Sequence, residues 1–202
     1  MTISTSALQQ KNAKHLIQSF SDLSYINNPE ATHIISRADG VYIYDNDGKK
    51  ILDSMSGLWC VNMGYRQQSI IKAVNEQMKE LVYYNNFFGS SHPSAIKLSE
   101  MIADKTPEGM NKVYFCGSGS EANDTVVRLT RHYWSAKGKP SKSIIISRKN
   151  AYHGSTMAGA SLGGMSAMHA QGGLPIADIE HVEQPYYYDA CRSEERRVGK
   201  EC

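Results

Sequence analysis

Val113-Tyr114-Phe115-Cys116-Gly117-Ser118-Gly119-Ser120-Glu121-Ala122-Asn123-Asp124 is the stretch on which the fold turns. A short run with β-branched and aromatic residues gives way to a glycine–serine loop. The loop then gives way to a helical pattern in which Val126, Leu129 and Tyr133 share one face. This spacing predicts a short buried strand over Val113–Cys116, a tight loop, and a helix to about Ala136 that Gly138 ends. Strand, loop and helix in that order belong to an open α/β sheet, where ligands bind beyond the carboxyl ends of the strands. Gly117 to Ala122 lies at such an end. A helix amino terminus presents unpaired N–H groups and partial positive charge, and glycine lets the backbone come close to an anion. With the hydroxyls of Ser118 and Ser120, the loop reads as a phosphate site. The same residues also fit an ordinary helix capped by Ser118 or Ser120.

Downstream, Ser143 to Ser147 reads as a second strand and Ile179 to Val182 as a third, parallel and joined by right-handed crossovers. Arg148-Lys149-Asn150-Ala151-Tyr152-His153-Gly154 follows the second strand. In a parallel sheet this places it beside the phosphate loop. There the Tyr152 ring is suited to stacking on a flat heteroaromatic group, and a partly buried tyrosine with no ligand fits equally. Gly154 to Gly173 reads as loops and short helices. Upstream, the pattern predicts a helix over Ala7–Phe20 and a β-meander over His33–Asp53 that turns at Asn46-Asp47-Gly48. A glycine-bounded apolar loop, Gly57 to Gly64, follows. Ile70, Val74, Met78 and Leu81 then mark an amphipathic helix over Gln67–Val82. After the break at Tyr83 to Phe88, His92-Pro93-Ser94 opens another helix, which ends near Pro107-Glu108-Gly109.

At 202 residues, with 41% hydrophobic and 21% charged side chains, the chain is long and apolar enough for a globular core and unlike a disordered or collagenous one. The net charge of +2 says little about partners. Its distribution says more, because Thr125 to Ala177 holds no acidic residue but carries Arg128, Arg131, Lys137, Lys139, Lys142, Arg148 and Lys149. That run is either an anion-attracting field or a solvated face. Cys60, Cys116, Cys191 and Cys202 match neither a metal motif nor a disulfide scaffold, which points to free thiols in a cytoplasmic protein. Met1 to His15 lacks the apolar core of a signal peptide, and no apolar run approaches the roughly 20 residues of a membrane helix. Arg192 to Cys202 reads RSEERRVGKEC, resembles the conceptual translation of a sequencing-adapter oligonucleotide, and is set aside as a non-native tail.

The loop spacing alone leaves two cofactor chemistries open. Gly117-Ser118-Gly119-Ser120-Glu121-Ala122 also fits the dinucleotide pattern G-x-G-x-x-A. The NAD form needs an acidic residue about 20 positions on, and none occurs between Asp124 and Asp178. An NADP-binding oxidoreductase survives, with Arg148 and Lys149 for the 2′-phosphate. A non-catalytic anion-binding or nucleic-acid-binding module using Arg128 to Lys149 is the third reading.

Gly117 to Asp124, followed by Tyr152-His153-Gly154-Ser155-Thr156, resembles the class III aminotransferases that depend on pyridoxal 5′-phosphate. Gly57-Leu58-Trp59-Cys60-Val61-Asn62-Met63-Gly64-Tyr65, Tyr84-Asn85-Asn86-Phe87-Phe88 and Ala160-Ser161-Leu162-Gly163-Gly164-Met165 are similar to the ω-amino acid:pyruvate and putrescine-type members. The resemblance runs from about Phe20 to Cys191. It implies an incomplete α/β fold of type I: residues 1–56 as an amino-terminal segment of the small domain, and 57–191 as the first part of the large cofactor-binding domain. It further implies a homodimer that moves an amino group between an amine and an oxo acid, with neither nucleic acid nor membrane as partner.

By resemblance, Ser118, Gly119 and Ser120 hold the phosphate, Tyr152 stacks on the pyridine ring and His153 adjoins it. Trp59 lines the substrate pocket, Phe87 reaches the neighbouring subunit's site, and Phe20 closes the pocket mouth. Ala167 stands where some relatives carry an aromatic pocket residue, which leaves the substrate range open. No lysine here lies in the family's Schiff-base motif, so the chain holds no catalytic residue of its own. The purified 202-residue chain is therefore expected not to transfer an amino group from an amine to pyruvate. Alanine formation by that chain would refute the expectation.

Overall fold

The computed structural model describes residues 3–185, so Tyr186 to Tyr188 and the unusual tail from Arg192 lie outside the described residues. The chain divides into two compact units, Met1–Ile96 and Lys97–Cys202.

The first unit begins with α1 (Thr5–His15), whose first turn is capped by the Ser4 hydroxyl accepting from the Ala7 N–H. The helix stops at His15 instead of continuing to Phe20, because Leu16 turns extended at φ −115° and ψ 123°. No residue of α1 is buried, so no packing carries a further turn, and short helices are marginal without packing. The Gln9 and Asn12 side chains tie α1 to the carbonyl and hydroxyl of the buried Thr32, at 3.0 and 3.1 Å. Helix α2 (Leu23–Ile26), capped by Asp22, and a 3-10 turn at Pro29–Ala31 lead into the sheet.

That sheet is the expected antiparallel meander of β1 (Ile35–Asp39), β2 (Tyr42–Asp45) and β3 (Lys50–Leu52), in that order. Asp45 closes its second turn by accepting from the N–H groups of Asp47 and Lys49. The short α3 (Ser56–Trp59), the amphipathic α4 (Gln68–Glu80) and α5 (Pro93–Ala103) follow, α5 spanning the division between the units. In α4 the apolar residues Ile70, Val74 and Met78 share a face yet stay exposed.

The second unit contains α6 (Gly119–Ala136), β4 (Ile145–Arg148), α7 (Met157–Leu162), α8 (Ser166–His169) and β5 (Ile179–Val182). Strands β4 and β5 pair in parallel, with Ile145 opposite Ile179 and Arg148 opposite Val182. The core gathers where α6 and α7 cover these strands: Val127, Ala158, Leu162 and Ile179 are buried, with Ile145 and Ile176 packed on them. The carboxyl end of α7 is closed by two histidines. His181 Nε2 lies 2.9 Å from the Gly163 carbonyl and His169 Nε2 lies 3.2 Å from that of Ala160, with the rings edge to face.

One expected strand is absent. Val113 to Cys116 is irregular, and Tyr114 and Phe115 are exposed rather than buried. A strand exists only where a neighbour completes its ladder, and among the described residues β4 pairs with β5 but not with 113–116.

Gly164 sets the path of the segment after β4. Its N–H and carbonyl bond to the Ala151 carbonyl and the Asn150 N–H, at 2.9 and 3.0 Å. A Cβ added there would lie 2.8 Å from the Asn150 nitrogen and would overlap the Arg148 carbonyl, both of them backbone atoms. Gly164→Ala is expected to destabilise the second unit by about 1–3 kcal/mol, the usual cost of overpacking. Thermal unfolding followed by far-UV circular dichroism measures this, and an unchanged midpoint would contradict it.

Candidate functional site

The loop before α6 is organised by reciprocal capping. Ser118 adopts extended backbone angles as the N-cap, and its Oγ accepts from the Glu121 N–H at 3.1 Å. The Glu121 carboxylate reaches back to accept from the Gly117 N–H at 2.6 Å. Ser-x-x-Glu is the sequence signature of a capping box; here the glutamate takes the N–H one residue before the N-cap, and the capping reading holds for Ser118. The exchange occupies the N–H groups of Gly117 and Glu121. The N–H groups of Gly119 and Ser120 donate to nothing among the described residues. Space is open where a Cβ on Gly119 would stand. Two adjacent, aligned donors therefore stand at the positive end of an 18-residue helix, with open space beside Gly119.

The Ser120 side chain is aimed by a second segment. Its Oγ accepts from the Ser155 N–H at 3.1 Å, which leaves the hydroxyl proton for another acceptor. Gly154 permits this contact. Its φ is +120°, and an added Cβ would sit 2.8 Å from the Ser120 Cα. Further bonds tie the segment down. Asn123 Nδ2 donates to the His153 carbonyl at 2.7 Å. Thr156 Oγ1, which caps α7, donates to Asp124 Oδ1 at 2.6 Å, and Asp124 Oδ1 also accepts from the Gly159 N–H at 3.1 Å. Ser118, Gly119, Ser120 and His153 are thus brought together, and Tyr152, half exposed, stands two residues before Gly154. The loop and the segment after β4 meet through a glycine contact rather than through neighbouring strands. Sequence reading assigned no role to Asn123, Asp124 or Thr156. The signal was present in the spacing of Thr156 to Gly159, a threonine N-cap.

The donor set suits a phosphate: two free N–H groups, one free hydroxyl proton and a helix dipole, with no nucleophile among them. The same geometry weakens the other readings. Lys149, a candidate for a nucleotide 2′-phosphate, is held by Glu183 at 2.5 Å. In the basic run, the Arg131 guanidinium donates to the Ser143 and Ala177 carbonyls. Lys137 lies over the Tyr133 ring, and Lys139 and Lys142 lie over that of Trp134. These contacts position the side chains, and of the run Lys149 is the residue paired with a carboxylate among the described residues.

The candidate substrate residues Phe20, Trp59 and Phe87 belong to the first unit and are 67%, 72% and 67% exposed. The Phe87 N–H donates to Asn85 Oδ1 at 2.8 Å, and its ring lies 6.0 Å from that of Phe88. Trp59 stands in an unusual place. Ser56, Gly57, Leu58 and Trp59 all have positive φ, at 49°, 60°, 65° and 65°. Each non-glycine residue in the left-handed region costs about 1–2 kcal/mol. Gly57 is required, since a Cβ there would stand 2.8 Å from Val61 Cγ2. Asp53 holds the turn. Its Oδ2 accepts from the Tyr65 hydroxyl and the Gly57 N–H, both at 2.7 Å, and its Oδ1 accepts from the Met55 N–H at 3.3 Å. The Tyr65 hydroxyl, with the N–H donors behind it, keeps the Asp53 carboxyl below the usual carboxylate range, and the same bond raises the Tyr65 phenol.

The sequence profile of the class-III aminotransferases matches residues 25–201. A putrescine–pyruvate aminotransferase of Pseudomonas aeruginosa is 53% identical over 180 residues, which is 89% of this chain and 39% of that protein. A diaminobutyrate–2-oxoglutarate transaminase of Halomonas elongata is 40% identical over 84% of this chain and 37% of its own. Among solved structures, an omega transaminase from Pseudomonas jessenii in complex with PMP superposes with a TM-score of 0.89 at 37% identity, covering 95% of this chain and 43% of that one. The chain spans about two fifths of the length of these relatives. No helix of the described residues is long and apolar enough to cross a membrane.

Two measurements check the geometry. Ser118→Ala removes the cap and is expected to cost about 1 kcal/mol of stability, read in urea unfolding. The Asp53–Tyr65 bond carries a pH window. A carboxyl lowered in the folded state stabilises above its unfolded pKa, and this is lost as pH falls through the lowered value. A raised phenol stabilises below its unfolded pKa, and this is lost as pH rises through the raised value. In a Trp134→Phe background, Trp59 emission is expected to stay flat between these limits and to change at both. A change near neutrality would contradict the assignment.

Proposed function

Because this chain belongs to the class-III aminotransferase family, we propose that it forms part of a transaminase that uses pyridoxal 5′-phosphate to move an amino group between an amine or ω-amino acid and an oxo acid such as pyruvate. The observation that carries this reading is the pair of unspent N–H groups at Gly119 and Ser120, next to a Ser120 hydroxyl that Ser155 has already oriented. Gly119 and Ser120 hold the phosphate through these donors. Ser118 acts by holding the helix start in place. Tyr152 packs on the ring of the cofactor, and His153 keeps that segment in position through the bond from Asn123 to its carbonyl. When bound, pyridoxal phosphate supplies the electron sink for carbanion chemistry next to the amine nitrogen. The residues described here bind and orient it and take no proton.

Trp59, Phe20 and Phe87 offer flat apolar surface to the substrate's carbon chain. Putrescine and pyruvate, the substrates in the name of the Pseudomonas aeruginosa relative, are the first pair to test. The Schiff-base lysine and the residue that pairs with the pyridine nitrogen lie outside these 202 residues in this reading, the working form is a cytoplasmic homodimer, and residues 57–191 belong to its cofactor domain.

The test uses the full-length enzyme. Ser120→Ala removes one charge-assisted hydrogen bond and is expected to weaken pyridoxal phosphate binding about 10- to 100-fold, measured by absorbance titration of the apoenzyme. Tyr152→Ala is expected to weaken it as well. Alanine formation from putrescine and pyruvate by the unsubstituted enzyme tests the reaction itself. Unaltered cofactor affinity in Ser120→Ala would refute the phosphate assignment.

A further inference from the structure

The left-handed turn at Ser56 to Trp59 is built as though Trp59 must point one way. Three of its four positive-φ residues are not glycine, and such a backbone persists only where its surroundings over-determine it. The over-determining group is one carboxylate. Asp53 sits at the end of the meander and grips the turn from both sides: it accepts from the Gly57 N–H inside the turn, from the Met55 N–H just before it, and from the Tyr65 hydroxyl beyond it. Tyr65 is in turn anchored to the sheet, since its N–H donates to the Gly40 carbonyl at 2.7 Å. The Gly40–Tyr65 bridge extends the meander onto the chain that follows the turn. Gly64 permits this, because a Cβ there would lie 2.9 Å from the Gly40 carbonyl oxygen. The turn is therefore stapled to the sheet at Asp53 before it and at Tyr65 after it, and the two staples are bonded to each other.

Among the described residues, the Trp59 side chain makes no comparable contact. Its ring is largely exposed, and the backbone N–H of Trp59 donates to the Met55 carbonyl at 2.8 Å, which closes the turn. With so little packing around the ring, the backbone beneath it sets the direction in which the Trp59 side chain leaves the turn. We propose that Asp53 and Tyr65 are positioning residues for substrate, acting through Trp59: their hydrogen bond holds the left-handed turn and so fixes the orientation in which the indole meets the amine. Substrate contact by Trp59 rests on the functional reading above, whereas the clamp rests on the hydrogen bonds alone.

The experiment has two arms, both on the full-length holoenzyme. In the first, amide hydrogen exchange at Gly57 is compared in the unsubstituted protein and in Tyr65→Phe, which removes only the hydroxyl, with Asp53→Asn as a second variant. Exchange at Gly57 is expected to quicken about tenfold or more in each, the effect of loosening a bond to a charged acceptor. Unchanged exchange overturns the proposal, whatever happens to activity. In the second arm, Tyr65→Phe is expected to raise KM for the amine about 3- to 10-fold, as for a weakened substrate contact, with kcat and cofactor affinity nearly unchanged. In a Trp59→Ala background the same substitution should then have no further effect on KM. An equal KM effect with and without Trp59 overturns the proposal, because the pair would then act by another route. Absence of amino transfer by the unsubstituted enzyme defeats the functional reading, and with it the substrate half of this inference, while the Gly57 exchange result still decides the clamp.

Discussion

The close approach of Gly154 to Ser120 is the contact on which the candidate site depends. A phosphate cradle needs donors that are both free and aimed. Capping by Ser118 and Glu121 determines which N–H groups remain free. The Ser155 N–H aims the one side-chain donor, and it arrives only because Gly154 lets the chain lie against the Ser120 Cα. The same approach carries Tyr152 and His153 to the loop. Asn123, Asp124 and Thr156 bind the two segments together around it. One missing side chain thus organises what several polar groups then hold.

The first unit solves a similar problem by other means. There an aromatic residue is displayed on a turn of unfavourable backbone, and a charged acceptor offsets the strain. Asp53 gathers two N–H groups and a phenol, and low dielectric is not needed because all three donors point at one carboxylate. The wide exposure of α4, Tyr114 and Phe115 contrasts with these tightly bonded points. Local hydrogen bonding, more than core packing, maintains the site geometry in both units.

Much of this was legible in residue order. The meander, α4, α6, β4, β5 and the loop before α6 all follow from apolar periods and glycine–serine punctuation, which report on short-range geometry. The Ser118–Glu121 box was readable as well, since its partners are three residues apart. The strand expected at Val113 to Cys116 failed because apolar composition signals a propensity to pair and does not supply the partner. The helix expected to reach Phe20 failed because α1 has no face to bury.

The sequence by itself determined the family resemblance, most of the element types and the position of the glycine–serine loop before α6, all of which are encoded in neighbours along the chain. Only the tertiary structure decided which donors of that loop are free, that Gly154 backs onto Ser120 from 34 residues away (154 less 120), that Lys149 is already engaged, and that Asp53 grips the turn bearing Trp59. These are long-range or competitive matters. A hydrogen-bonding group can serve one partner or another, and residue order does not say which acceptor the folded chain will bring within reach.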